Sequence, residues 1–281
     1  MALPADGHMH SEWSLDTRSG RGSMERMCAR AVELGLPAVA FTDHLDLMAW
    51  QVESSDFEDV EKFKAFLTPG GALAPPPLDI DGYLECVDRC RMRFPDLQII
   101  TGAELGQPHR TAEAAAQIAG FGQLERVLGS LHGLSVGNQF FEPPGLYRLW
   151  PAADVIREYL AEVPRMIAGS DAFPLLAHID YAVRYWPTKE AGPYDPTQFE
   201  DEFRQTLRIV AGSGRALELN VGGTIRPWVA LWWSDEGGRA VTFGSDAHRP
   251  EWVGRNFPEA VAMAQALGYR PGPRPADFWT R

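Results

Sequence analysis

The 281-residue chain predicts an α/β fold in which parallel strands alternate with helices, in the manner of a (β/α) barrel. Three observations carry this. Seven short runs rich in Val, Ile, Leu or Phe read as strands buried on both faces. Helical patterns lie between them. Most of the runs end in a histidine or an acid.

The strand-like runs are residues 5–10, 37–44, 98–105, 126–132, 173–179, 215–221 and 240–247. The first helical pattern, 23–34, starts at an N-cap, Ser23, and stops at Gly35. The patterns 81–94, 152–168, 196–211 and 257–267 carry apolar residues at spacings of three and four, and Gly268 closes the last. Three long connections, 45–80, 184–196 and 222–239, are rich in Pro, Gly or Trp. Each follows a strand, so each is expected at the C-terminal face, where barrel active sites form. No repeat, low-complexity tract or boundary divides the chain, so residues 1–281 are expected to form a single domain.

Composition narrows the function. Lys and Arg number 26 against 38 Asp and Glu, a formal charge of −12, which excludes a broad nucleic-acid surface. There is no basic stripe for a membrane surface and no apolar run of about 18 residues. The N-terminal residues lack the basic and apolar regions of a secretory signal. Three cysteines, Cys28, Cys86 and Cys90, do not make a disulfide framework, and a reducing cytoplasm is the expected compartment. Cys86 and Cys90, four apart on a helical pattern, read as core packing.

The polar residues fall at the strand ends. His8 and His10 are two apart on the first run and share a side. Asp16 follows in the next loop. His44 ends the second run, Glu104 the third, His132 the fourth and His178 the fifth; Asp246 and His248 end the seventh. The sixth ends in Glu218-Leu219-Asn220, also polar. A lone buried histidine is ordinarily a core residue. Six histidines and three acids delivered to one rim are too many for that, and too many for one tetrahedral zinc. Imidazoles and carboxylates in this number suit two or three divalent ions of zinc, manganese or iron. A bridging carboxylate lets two ions share an acidified water, a nucleophile for an ester, amide or phosphoester.

The segments His8-Met9-His10, Thr42-Asp43-His44, Gly102-Ala103-Glu104, Gly129-Ser130-Leu131-His132 and Gly244-Ser245-Asp246-Ala247-His248 resemble motifs of the PHP (polymerase and histidinol phosphatase) family. The resemblance runs from about residue 6 to about 270. It is closest to the histidinol-phosphatase branch, through the segments 177–185 and 217–220. It implies a distorted (β/α)7 TIM-like barrel of PHP type with a trinuclear metal site. One ion would take His8, His10, Glu104 and Asp246. A second would share Glu104 and add His132 and His178, and a third would take Asp16, His44 and His248. Some family members carry His at the position of Asp16. The segment 222–227, with Trp228, Trp232 and Trp233, departs from the branch pattern, which leaves the exact substrate open.

The resemblance implies hydrolysis of a small phosphomonoester, L-histidinol phosphate foremost, as in histidine biosynthesis, by a metal-bridging hydroxide. Glu104, Asp246 and Arg184 are the expected catalytic residues. Arg184, just past His178, offers a guanidinium to the phosphate, with Arg226 and Arg249 as further candidates. Asp180 is placed to orient a ligand or bind a substrate amine, and Asp43 to support a ligand. His109, in a predicted loop, is a candidate substrate contact with a solvated residue as its plainer reading. Trp50, Trp186, Trp228, Trp232 and Trp233 fall in predicted rim loops and are candidates to wall an organic substrate, and the acidic stretch 53–61 reads as a solvated face or lid. Competing functions are a nucleotide phosphatase or phosphodiesterase of the same family, an amidohydrolase and a non-catalytic metal-binding domain. The amidohydrolase is disfavoured because Lys62, Lys64 and Lys189 lie on no predicted strand.

Overall fold

The computed structural model describes residues 3–17, 22–56, 60–223 and 225–281. Seven parallel strands form its wall: β1 (Asp6–Met9), β2 (Ala38–Leu45), β3 (Gln98–Gly106), β4 (Arg126–Ser130), β5 (Leu175–Leu176), β6 (Ala216–Asn220) and β7 (Ala240–Gly244). They neighbour one another in chain order. The sheet curls until its edges meet, because Asp246 N donates to His8 O and His10 N to Ala247 O, both at 2.9 Å. The result is an α/β fold of the TIM-like barrel type, as predicted.

Each strand lies on a predicted run. β5 is the shortest, because the chain leaves the ladder at His178, whose N–H donates to Glu218 Oε2 instead. Between β1 and β2 the register moves from Asp6↔Val39 to Met9↔Phe41, one extra residue on β1, which is a bulge.

The interior is layered. Ala38, Ala40 and Ile100 make one apolar cluster and Leu128, Leu175, Ala177 and Ala216 another. Beneath them Arg126 crosses the barrel floor, donates to Ala276 O at 2.7 Å and stacks over Phe278. An eighth, antiparallel strand, β8 (Trp279–Thr280), pairs with β7. The C-terminal segment thus seals the N-terminal end of the barrel, leaving the other end for chemistry.

Nine helices are present among the described residues: α1 (Met24–Leu34), α2 (Ile80–Arg93), α3 (Pro108–Ala116), α4 (Pro143–Leu149), α5 (Ala152–Gly169), α6 (Thr188–Ala191), α7 (Glu200–Gly212), α8 (Pro227–Asp235) and α9 (Phe257–Ala266). The five predicted helices are among them. Ser23 and Gly35 cap α1 as expected, Gly35 at φ 73°. The other four are short. Three of those, α3, α4 and α8, begin with proline, which also reads as a loop signal when no long apolar period follows.

The predicted connection 222–239 is therefore corrected: α8 occupies much of it. Trp232 and Trp233 are buried beneath α8, and Trp233 Nε1 donates to Ala240 O. Trp228 packs on Phe203 and Trp232, and Trp186 on Tyr194 and Phe199, so these rings build core rather than a substrate wall. Trp50 belongs to a second, four-stranded sheet of Ala72–Leu73, Trp50–Gln51, Gln139–Phe141 and Leu134–Val136. That sheet ties the connection after β2 to the hairpin after His132. Of the acidic stretch 53–61, residues 57–59 lie outside the described ones; Glu53 and Asp56 pair with Arg148. Cys86 and Cys90 are buried in the main core, as predicted, and Cys28 lies there too.

Candidate metal centre and active site

Alternation along the strands selects what faces the barrel axis. On β2, Ala38 and Ala40 lie in the interior cluster, and the same parity brings His44 inward. On β3, Ile100 shares that cluster and Glu104 follows on the same face. His8 and His10, on and just past β1, also point inward.

Glu104 is the hub. Its Oε1 lies 2.6 Å from His178 Nε2, 2.9 Å from His132 Nε2 and 2.7 Å from Ser130 Oγ. Its Oε2 faces His44 Nδ1 at 3.0 Å, His8 Nε2 at 3.4 Å and His10 Nε2 at 3.5 Å. Asp246 Oδ1 lies 3.1 Å from His10 Nε2 and 3.7 Å from His8 Nε2. On the outer side Asp16 Oδ2 is 2.8 Å from His248 Nε2 and 3.7 Å from His44 Nε2. The His10 ring is stacked between those of His44 and His248, at 4.2 and 4.1 Å. All nine predicted ligand residues therefore meet at one rim. Among the described residues, four overlapping triads bring donor atoms within 4.8 Å of one another. Asp246 holds a positive φ of 52°, a conformation uncommon outside glycine.

An outer layer orients these donors. His8 Nδ1 donates to Glu218 Oε1 at 2.7 Å and His132 Nδ1 to Asp46 Oδ1 at 2.9 Å. His10 Nδ1 faces Ser14 Oγ at 3.3 Å, and Ser14 donates to Asp43. Asp43 thus supports a ligand, as predicted, but through a serine, because its parity on β2 is opposite to that of His44. Sequence reasoning did not assign Glu218 or Asp46 a role. The available signal was glycine: a side chain at Gly244 would collide with Glu218 and His8, and one at Gly106 with Asp46.

The electrostatics call for cations. With Nδ1 facing Glu218, Ser14 and Asp46, His8, His10 and His132 turn Nε2 inward, toward Glu104 and Asp246. The Nε2 atoms of His8 and His10 stand 3.0 Å apart, close enough to share a proton or to bind one cation together. Glu104 Oε2 is buried with no hydrogen-bond donor. Burial disfavours charge on His8, yet Glu218, Glu104 and Asp246 hold its pKa well above the ordinary range. Burial likewise opposes charge on His132, and Asp46 and Glu104 raise it to about 10. His10 is pushed down to about 3 by burial and by the facing His248 and His44, so it offers a lone pair at neutral pH. Buried carboxylates facing a cluster of imidazole nitrogens fit divalent ions that accept both nitrogen and oxygen and that would displace the imidazole protons on binding.

Arg184, on a 3₁₀ turn over Tyr181–Tyr185, reaches the site: Nη1 donates to Asp246 Oδ2 at 2.7 Å and Nη2 is buried with no acceptor. Asp180 and Arg226 pair with each other at 2.5 Å. Arg249 lies over Trp252. His109 is a correction. It opens α3, and its Nε2 lies 2.9 Å from Glu162 Oε1 on α5, so it clamps two outer helices and takes no part in the site.

An α/β barrel with a cluster of nitrogen and oxygen donors at its C-terminal rim defines the class of metal-dependent hydrolase folds. The PHP domain family model matches residues 6–222, and the chain belongs to this family. Proteins named probable histidinol-phosphatase are similar to it. That of Thermotoga maritima is 26% identical over 94% of this chain and 92% of the relative. That of Clostridium acetobutylicum is 27% identical over 69% and 76%. Among solved structures, the histidinol phosphate phosphatase of Lactococcus lactis, complexed with zinc, L-histidinol and phosphate, superimposes with a TM-score of 0.73. It is 20% identical and the match covers 96% of this chain and 95% of that one.

Proposed function

We propose that the chain is a metal-dependent phosphatase that hydrolyses a small phosphomonoester, with L-histidinol phosphate as the first substrate to test. The observation that carries this reading is a guanidinium, Arg184, aimed at a cluster of imidazole nitrogens and buried carboxylates. Relatives named for the histidinol-phosphatase activity support it.

His8, His10, Glu104 and Asp246 would hold one ion, Glu104, His132 and His178 a second, and Asp16, His44 and His248 a third. When bound, such ions neutralise phosphoryl oxygens and acidify a water nucleophile. The protein's own part is positioning. Glu104 joins two donor sets through its two oxygens. Asp246, fixed between His10 and Arg184, links the donor cluster to the phosphate-binding side. The free Nη2 of Arg184 is available to donate to a phosphoryl oxygen while Nη1 stays on Asp246. The Asp16 set is the most open, with Asp16 41% exposed, which suits a more weakly held ion.

Purified protein loaded with manganese or zinc should release phosphate from L-histidinol phosphate faster than from nucleoside monophosphates or diesters. No release from any phosphomonoester, with two or more metals confirmed per chain, would overturn the reading. Arg184→Met should raise KM for phosphomonoesters about tenfold or more while metal content stays intact; unchanged kinetics or lost metal refutes its role.

A further inference from the structure

The phosphate half of the substrate accounts for the metal donors and Arg184. One acid near them remains unused. We propose that Glu142 is the recognition residue for a cationic group, an ammonium or imidazolium, on the organic half of the substrate. This rests on the phosphatase reading for its first assay but not for its second.

Glu142 is placed by the hairpin that follows His132. The antiparallel register Val136↔Gln139, Leu134↔Phe141 sets Glu142 opposite Gly133, beside His132. Gly133 has no room for a side chain against Phe141 O, so the two backbones cross tightly there. Glu142 precedes α4, but its carboxylate does not cap that helix. Among the described residues it has no side-chain hydrogen bond and no ion pair. The other acids around the rim are engaged: Asp46 by His132, Asp16 by His248, Asp246 by Arg184 and Asp180 by Arg226. The amine-binding role expected of Asp180 is thus filled by an internal arginine.

The surroundings suit an organic cation. Glu142 acts electrostatically on His132, Asp46, His44 and Asp16 on one side and on Tyr181 and Tyr185 on the other. Tyr181 lies 5.0 Å from the His178 ring and 5.2 Å from His132. Tyr185 continues outward and is 41% exposed. A group extending from the donor cluster toward solvent therefore passes between a carboxylate and two phenol rings, both favourable to a cation. Burial pushes the Glu142 carboxyl up to about 7 although His132 and His44 oppose it, and a ligand cation in direct contact would relieve that cost.

The experiment compares wild type, E142Q and E142D, each metal-loaded, in two assays. The first measures kcat/KM for L-histidinol phosphate and for p-nitrophenyl phosphate, which has no cation. The second measures calorimetric binding of L-histidinol alone. In E142Q, kcat/KM for L-histidinol phosphate should fall at least tenfold, while that for p-nitrophenyl phosphate, which lacks a cationic group, should stay within about twofold; E142D should recover part of the loss. L-histidinol binding should weaken in parallel. Equal loss on both esters, or L-histidinol binding that is absent in wild type or unchanged in E142Q, overturns the proposal. If wild type hydrolyses neither ester yet binds L-histidinol in a Glu142-dependent way, the phosphatase reading falls and the cation site stands.

Discussion

Glu104 shows at a single residue why this site exists. A carboxylate at a barrel axis is tolerated only against positive charge, and Glu104 faces five histidines. Which of their nitrogens face inward is decided one step out, by Glu218, Asp46 and Ser14. Ligand-orienting partners of this kind are worth about 10–100-fold in metal affinity. Glu218→Gln should weaken metal binding by that factor in competition with a chelator. An unchanged affinity would show that the His8 orientation is fixed by packing alone. Glu218 sits in the sequence as one more polar residue on an apolar run. Its function becomes visible only with Gly244, which makes room for it from another strand.

At the scale of elements, the strands were legible because burial on both faces leaves near-continuous apolar runs. Short proline-led helices were not, since a helix of seven to nine residues held by tertiary packing shows little period of its own. This is why His109 looked like a loop residue near Glu104. Instead, α3 carries it to α5, where Glu162 also holds Arg110 and Arg165. Burial raises the Glu162 pKa, but Arg165, Arg110 and His109 outweigh it and bring it to about 2. The folded value is depressed, so this clamp stabilises fully above the ordinary carboxylate range and is lost as pH falls from about 4.5 toward 2. The stability gap between wild type and Glu162→Gln should be about 1–2 kcal/mol near pH 6, allowing for solvent screening, and should close in that acidic window. A gap independent of pH in denaturant titrations would mean the clamp works by packing. Histidine kinetics offer a second check: His109→Gln should leave kcat unchanged.

The whole molecule converts parallel order into a site. Because every β1–β7 strand runs the same way around a closed barrel, their C-terminal ends share one rim, while the tail around Ala276 and Phe278 covers the other. The chain is acidic, at −12. Three ions against Asp16, Glu104 and Asp246 would nevertheless leave a cationic pocket, suited to a small anion. No helix among the described residues is long and apolar enough to cross a membrane. Since the ions would bind the folded state, a concentration 100-fold above Kd should add about 2.7 kcal/mol of stability per site. Calorimetry before and after chelation should show the transition temperature falling on metal removal and recovering on readdition. A transition indifferent to metal would break the multinuclear assignment.

The amino-acid sequence by itself determined the barrel class, the order of its strands and the gathering of nine candidate ligand residues at one rim, because alternation and chain direction are local properties that a linear pattern records. Tertiary structure alone decided which acids are already neutralised. Asp180 is closed by Arg226, Asp43 acts through Ser14 and Glu142 stands beside His132 with no partner among the described residues. Charge pairing depends on distances between residues far apart in the chain, and those are set only when the barrel closes.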